Sequence, residues 1–306
     1  MTQRNKPSSR SAFIAIVGKP NVGKSSLMNA MLGQKVAIVS SKPQTTRTRI
    51  MGVLTREETQ LVFIDTPGMH KPRTRLGDYM VRSVSEAVSG VDACMLVVEP
   101  EGELTESEHS LIHSFQKSGL PVVLAINKID LLEDRSAILG RIAELNSLYP
   151  FASVVPVSAV KGDSISILID ELSAFAQEGP HFFDDDTLTD MPEKTLAGEI
   201  IREKLLRLLN HEIPHGIAVS VEHMREREEG GITDIDAVIY CERESHKGIV
   251  IGKKGAMLKK VATLARKDME NFFGCKVNLQ CWVKVKEDWR NREGLLRSFG
   301  YDSSDQ

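Results

Sequence analysis

Gly18-Lys19-Pro20-Asn21-Val22-Gly23-Lys24-Ser25 is the stretch that decides the first fold. It follows an aliphatic run at 13–17 and opens a helical pattern, the setting a phosphate-binding loop of the form Gly-x4-Gly-Lys-Ser requires. Glycines let backbone N–H groups curl around a β-phosphate, and the N-terminus of the next helix adds a dipole that favours anions. Lys24 is expected to neutralise the β- and γ-phosphates. The Ser25 hydroxyl is expected to ligate Mg²⁺, with Ser26 beside it in the same nucleotide site.

Outward from that loop, short β-branched or aliphatic runs at 13–17, 61–64, 93–98, 122–126 and 154–157 alternate with helical patterns. Such alternation signals an α/β domain with a mostly parallel sheet. A further run at 50–55 is close enough to 61 to pair antiparallel across a hairpin, giving about six strands. Three more loops follow these runs. Asp65-Thr66-Pro67-Gly68 can hold the Mg²⁺ shell through water at Asp65 and sense a γ-phosphate at the Gly68 N–H. In Asn127-Lys128-Ile129-Asp130, the Asp130 carboxylate can accept two hydrogen bonds from the N1–H and exocyclic amine of guanine, a pattern adenine lacks. Asn127 would buttress the base, and the Lys128 stem would cover its face. Ser158-Ala159-Val160 could present the Ala159 N–H to guanine O6. Each of these is an ordinary polar turn when met alone. Together, in order, and each at the C-terminal end of an expected strand, they define a guanine-nucleotide site, because open α/β sheets bind ligands at that edge.

A chain of 306 residues, 41% hydrophobic and 26% charged, can bury two cores. Its net charge of −3 excludes a protein coated in positive charge, so any nucleic-acid contact must be local. Cys94, Cys241, Cys275 and Cys281 match no paired zinc spacing, and a chain this long needs no disulfide staple, which fits a reducing cytoplasm. Residues 1–10 are read as a flexible, mature N-terminus. No run of about 18 uninterrupted apolar residues is found to span a membrane.

The expected boundaries are a nucleotide domain over 11–178, an acidic linker over 179–195, a second domain over 196–290 and a tail over 291–306. The second domain reads as helix, strand, strand, helix, strand. Ile251-Gly252-Lys253-Lys254-Gly255, followed by a helix from about Met257, has the form of the Gly-x-x-Gly loop of a KH domain, which clamps about four single-stranded nucleotides by their backbone. From Arg243 to Arg292 there are 13 Lys or Arg against 5 Asp or Glu. Charge is therefore segregated for a polyanion. The helix places Lys259, Lys260, Arg266 and Lys267 near the loop or along one flank, with Val261, Leu264 and Ala265 on its buried side.

With these motifs in this order, the first half resembles the translation-factor-like GTPases, and Gly-Lys-Pro-Asn-Val-Gly-Lys-Ser narrows the resemblance to the Era and TrmE group. Pro43-Gln44-Thr45-Thr46-Arg47 is similar to the Era-family switch segment, and the second half resembles its type II KH domain. The resemblance implies a magnesium-binding threonine at Thr46, with Thr45 as the alternative, and a GTP/GDP switch with slow unassisted hydrolysis. Met69 stands where small signalling GTPases carry a water-orienting Gln. The resemblance also implies a potassium ion held through Asn21. Its implied partners are the 3′ end of 16S ribosomal RNA and the 30S subunit in assembly. It further implies a monomer, a peripheral contact with the inner membrane and a coupling to cell-cycle progression. GTP and Mg²⁺ are expected to order the Thr46 and Gly68 segments and to reorient the KH domain through the linker. The alternative is an RNA-binding chaperone in which GTP is structural. His211-Glu212-Ile213-Pro214-His215 formally matches a zinc-protease motif, but Pro214 breaks the helical turn that chemistry needs.

Overall fold

The computed structural model describes residues 9–42, 44–68, 74–134, 136–209, 216–228 and 230–301. The chain divides into two compact units. Residues 1–8, Pro43, Met69 and the His211 to His215 motif lie outside the described residues, as does the end of the tail after Tyr301.

In the first unit the strands are β1 (Arg10–Val17), β2 (Ile50–Arg56), β3 (Thr59–Asp65), β4 (Ala93–Val98), β5 (Val122–Asn127), β6 (Ser153–Val157) and β7 (Gln177–Glu178). The sheet order is β2-β3-β1-β4-β5-β6. Pairing is parallel from β3 through β1, β4 and β5 to β6. β2 joins β3 antiparallel, as the hairpin spacing requires. β4 and β5 are buried at every position, since helices cover both faces of a parallel sheet and such strands lose polar alternation. Ala15, Val17, Leu96, Val98, Phe115 and Ile126 form one side of that core. Helix α1 (Lys24–Leu32) follows β1 directly, and further helices α2 (Arg75–Val88), α3 (Glu106–Ser118), α4 (Ala137–Asn146) and α5 (Ile165–Ser173) make the crossovers.

Two features differ from the sequence reading. β7 is a seventh strand, two residues long, pairing antiparallel with Arg10 and Ser11. The segment expected as a linker over 179–195 is tied along the sheet. Val53 N donates to Leu188 O at 2.9 Å, Thr189 Oγ1 donates to Met51 O at 2.7 Å, and Gln60 Oε1 accepts from the N–H groups of Phe182 and Phe183. Acidic, aperiodic composition reads as solvated chain, but these donors and acceptors are met by an edge strand and a buried Gln60.

The second unit holds α6 (Glu193–Leu208), β8 (Ile217–Glu226), β9 (Ile232–Cys241), α7 (Glu244–Ile251), α8 (Ala256–Phe273), β10 (Lys276–Val285) and α9 (Glu293–Ser298), with Ile38–Thr45 and Pro72–Tyr79 included. Its sheet runs β10-β9-β8, with β9 antiparallel to β8 and parallel to β10. A parallel neighbour demands a crossover, supplied by α7 and α8. Helix α7 is absent from the five-element sequence reading, because its eight residues are too few for a periodic signal. Ile201, Leu205, Ile235, Ile239, Val261, Ala265 and Met269 fill the core. Leu264, expected on the buried side, is exposed instead; Met269 takes the third inward position. The segment expected as a tail over 291–306 carries helix α9 and buries Leu296 and Tyr301, and the fully buried Trp289 just before it donates from Nε1 to Gly216 O at 3.0 Å and stacks on Tyr301.

Candidate functional site

The four loops of the first unit follow the C-terminal ends of β1, β3, β5 and β6, adjacent strands or near neighbours in the sheet, so the sheet itself gathers them. Gly23 caps α1 with φ of +100°, and a Cβ there would lie 2.2 Å from Asn127 Nδ2. Glycine is required by that approach and by the backbone angle. Asn127 is buried; its Nδ2 donates to Val22 O at 2.8 Å and its Oδ1 accepts from Ala159 N at 3.1 Å. One amide thus ties the phosphate loop to the Ser158 loop. The Ala159 N–H, expected to face guanine O6, is engaged by Asn127.

The oxygen atoms assigned to magnesium converge. Ser25 Oγ donates to Asp65 Oδ2 at 2.5 Å and lies 3.0 Å from Thr46 Oγ1. Thr45 turns away, donating to Lys42 O at 2.6 Å. Asp65 is fully buried and its Oδ1 has no hydrogen-bond partner among the described residues. An orphaned buried carboxylate oxygen beside two hydroxyls is the donor set of a hard cation with oxygen ligands. Burial pushes the Asp65 carboxyl up to about 6, against the opposing pull of the Lys24 ammonium and of hydrogen bonds from Ser25 and Thr46. Lys24 is buried and donates to Gly18 O and Lys19 O at 3.0 Å each. Burial lowers its ammonium to about 8, a shift limited by the charges of Asp65 and Glu108.

Around this centre, Val22 is buried, Asn21 is exposed at the loop tip with a left-handed φ of 65°, and Thr66 donates to Ile16 O at 2.7 Å. Pro67 is buried. Gly68 abuts Pro20, where a Cβ would meet Pro20 Cα at 2.7 Å. Asp130 accepts from Ser158 Oγ at 2.6 Å, while Val160 is exposed. Sequence reasoning missed Glu99, at the end of β4. Its carboxylate takes Lys19 Nζ at 2.8 Å and Lys128 Nζ at 2.6 Å, joining the phosphate loop to the base loop. Burial would raise the Glu99 carboxyl, but hydrogen bonds from Lys128 and Lys19 outweigh it and hold it below its ordinary value. No local motif signals it, since its two partners are distant in sequence.

In the second unit Gly252 has φ of +72°, and a Cβ there would lie 2.7 Å from Met257 Cβ. The loop turns so tightly onto α8 that only glycine fits. Lys253, Lys254, Lys259, Lys260, Arg266 and Lys267 are all exposed, Ile251 and Gly255 are half-buried, and the apolar Ile249 and Leu264 are exposed nearby in sequence on α7 and α8. Sequence reasoning also missed three buried charged residues of α6. Arg202 donates to the carbonyls of Gln44 and Thr45, Glu203 accepts from Val39 N at 3.0 Å, and Lys204 bridges Glu203 and Asp268.

Residues 13–128 match the family described as 50S ribosome-binding GTPase, and residues 212–290 match the KH domain family. The GTPase Era of Clostridioides difficile is 46% identical over 293 residues, covering 96% of this chain and 99% of that protein. The chain belongs to the Era GTPase family. A second Era relative, from Caldanaerobacter subterraneus, is 47% identical over 292 residues, covering 95% of this chain and 98% of that protein. Two solved Era structures superpose with a TM-score of 0.91 each. One is a variant of Aquifex aeolicus Era bound to GDP.AlF4-, at 36% identity over 95% of this chain and 99% of that one. The other is Era with MgGDPNP and nucleotides 1506-1542 of 16S ribosomal RNA, at 37% identity over 96% and 99%. This Era-family chain is therefore a GTPase with a P-loop domain and a C-terminal KH domain. Among the described residues no helix is long and apolar enough to cross a membrane.

Proposed function

We propose that this chain is a GTP-hydrolysing switch that binds Mg²⁺ with its nucleotide, holds the 3′ end of 16S ribosomal RNA through its KH unit, and assists assembly of the 30S subunit. The observation that carries the nucleotide half is the convergence of Ser25, Thr46 and the Asp65 carboxylate, whose Oδ1 has no partner among the described residues, beside buried Lys24. The RNA half is supported by the exposed lysines around Gly252 and by the relative solved with 16S ribosomal RNA.

In this reading Ser25 and Thr46 hold Mg²⁺ directly and Asp65 holds its water shell. The ion, when bound, neutralises charge on the β- and γ-phosphate oxygens. Lys24 places its ammonium at the same oxygens. Asp130 accepts from the guanine edge, oriented by Ser158, and Asn127 keeps base loop and phosphate loop in register. The Gly68 N–H senses the γ-phosphate. Asn21 holds potassium against the phosphates, a role its exposure at the loop tip supports. Turnover is slow without assistance. The 30S subunit as target, a monomeric state, a cytoplasmic location and a peripheral contact with the inner membrane rest on family resemblance.

The test compares RNA affinity with GDP and with a non-hydrolysable GTP analogue, and 30S maturation in cells carrying an Asp130→Asn chain that still folds. Different affinities and failed maturation are expected. Equal affinities together with normal maturation would leave GTP a merely structural ligand and end the switch reading.

A further inference from the structure

A Gly-x-x-Gly loop clamps about four nucleotides, whereas the RNA held by the solved Era relative runs from nucleotide 1506 to 1542. RNA of that length extends past the reach of the loop, and the sheet of the KH unit offers a further surface. On β9 the side chains of Ile235, Ala237 and Ile239 enter the core, as do Leu279, Cys281 and Val283 on β10. With a side-chain period of two, Gln280, Trp282 and Lys284 therefore lie on the opposite face, along a strand that ends the sheet, and Lys286 follows it directly, its N–H donating to Cys241 O. Helices α6, α7 and α8 pack on the core side. On the outer face Phe299 covers Tyr240 of β9, and the β10 residues remain exposed.

Trp282 is 45% exposed. It stands opposite Val238 in the ladder, and Lys284 opposite Tyr240, so apolar neighbours flank the indole. Lys276 and Lys284 are exposed on the same face and Lys286 just past the strand's end, and no ion pair among the described residues engages them. Two carboxylates bordering that strand already have partners, Asp234 taking Arg227 and Asn278, and Glu242 taking Arg290. Asp236 stands opposite Gln280, and Glu222 on β8 accepts from the Tyr240 hydroxyl at 3.2 Å. An exposed aromatic with lysines at the next alternate positions, about 7 Å apart along a strand, presents a stacking surface beside a row of positive charge.

We propose that this outer face of β10 is a second RNA-contact surface, on which a base stacks against Trp282 while Lys284 and Lys286 neutralise neighbouring phosphates. The proposal rests on the RNA reading above and extends it to a face away from the Gly252 loop.

The chain has two tryptophans, and the other, Trp289, is fully buried. Tryptophan emission quenched by RNA therefore reports on Trp282. The full chain is titrated with a single strand just long enough for the Gly252 loop and with a longer segment of the 16S 3′ end. The long RNA should quench emission and the short one should not. Trp282→Ala should weaken long RNA by about 5- to 160-fold, the range for losing one base stack, while leaving the short strand and GDP bound as before. Trp282→Phe should restore most of the loss. Lys284→Gln should lower the slope of log affinity against log salt by about 0.7. Long RNA that binds without changing emission, and binds Trp282→Ala equally well, overturns the proposal but leaves the RNA reading standing. Failure of both RNAs to bind the unaltered chain overturns both.

Discussion

Gly23→Ala probes the tie between the phosphate loop and the base loop. The new Cβ would sit 2.2 Å from Asn127 Nδ2, so the buried amide must move. Moving it breaks two hydrogen bonds, to Val22 O at 2.8 Å and from Ala159 N at 3.1 Å. Each is worth about 0.5–1.5 kcal/mol net. A side chain at φ of +100° adds strain of about 1–3 kcal/mol. The total is about 2–6 kcal/mol, a melting-temperature drop on the order of 5–20 °C at roughly 2–4 °C per kcal/mol for a unit of this size. The assay is thermal unfolding of Gly23→Ala, Asn127→Ala and the double variant, with fluorescent GDP binding beside it. If the clash acts through Asn127, the alanine at 23 costs only the strain of about 1–3 kcal/mol once Asn127 is already truncated. Strictly additive losses, or an unaltered melting temperature for Gly23→Ala, would refute the reasoning.

The Asp65 carboxyl, raised by burial to about 6, holds its proton more tightly than an unfolded aspartic acid. It therefore stabilises the nucleotide-free fold below about pH 4, and that contribution is lost as pH rises through about 6; melting curves across this window should flatten in Asp65→Asn. Mg²⁺ affinity should climb through the same pH, as the carboxylate forms in the metal-free protein, and an affinity flat from about pH 5 to 7 would contradict it. Because burial lowers Lys24 to about 8, GDP affinity should fall above that pH as the ammonium is lost, checked by titration calorimetry between about pH 7 and 9. Potassium held at Asn21 should make turnover several-fold faster in potassium chloride than in matched sodium chloride, and Asn21→Ala should erase the difference; equal rates dispose of that role. Gly252→Asp, with a Cβ pressed to 2.7 Å from Met257 and a negative charge among lysines, should reduce RNA binding by about 10-fold or more and leave GDP binding intact. An RNA affinity equal to that of the unaltered chain would show that the loop does not clamp the strand.

The motifs around Gly18, Asp65, Asn127 and Gly252 were legible because each needs only neighbouring residues: a strand, a tight turn and a helix start are written in consecutive letters. Residue types in those turns carry the chemistry of guanine and phosphate, so class, substrate and the α/β order followed from the letters alone. Elements too short to show a period, β7 and α7, were not legible. Neither was the strap over 179–190, whose polar backbone looks solvated until Gln60 and β2 are brought beside it. Leu264 shows the same limit on a helix: spacing tells that a face is apolar, but the strands packed beneath decide which of its residues are covered. Glu99 and the α6 charges belong to tertiary structure outright, since their partners are brought near by sheet closure and helix docking. Local backbone preference is encoded residue by residue, whereas contacts across long loops exist only once the folded core has fixed where distant segments end.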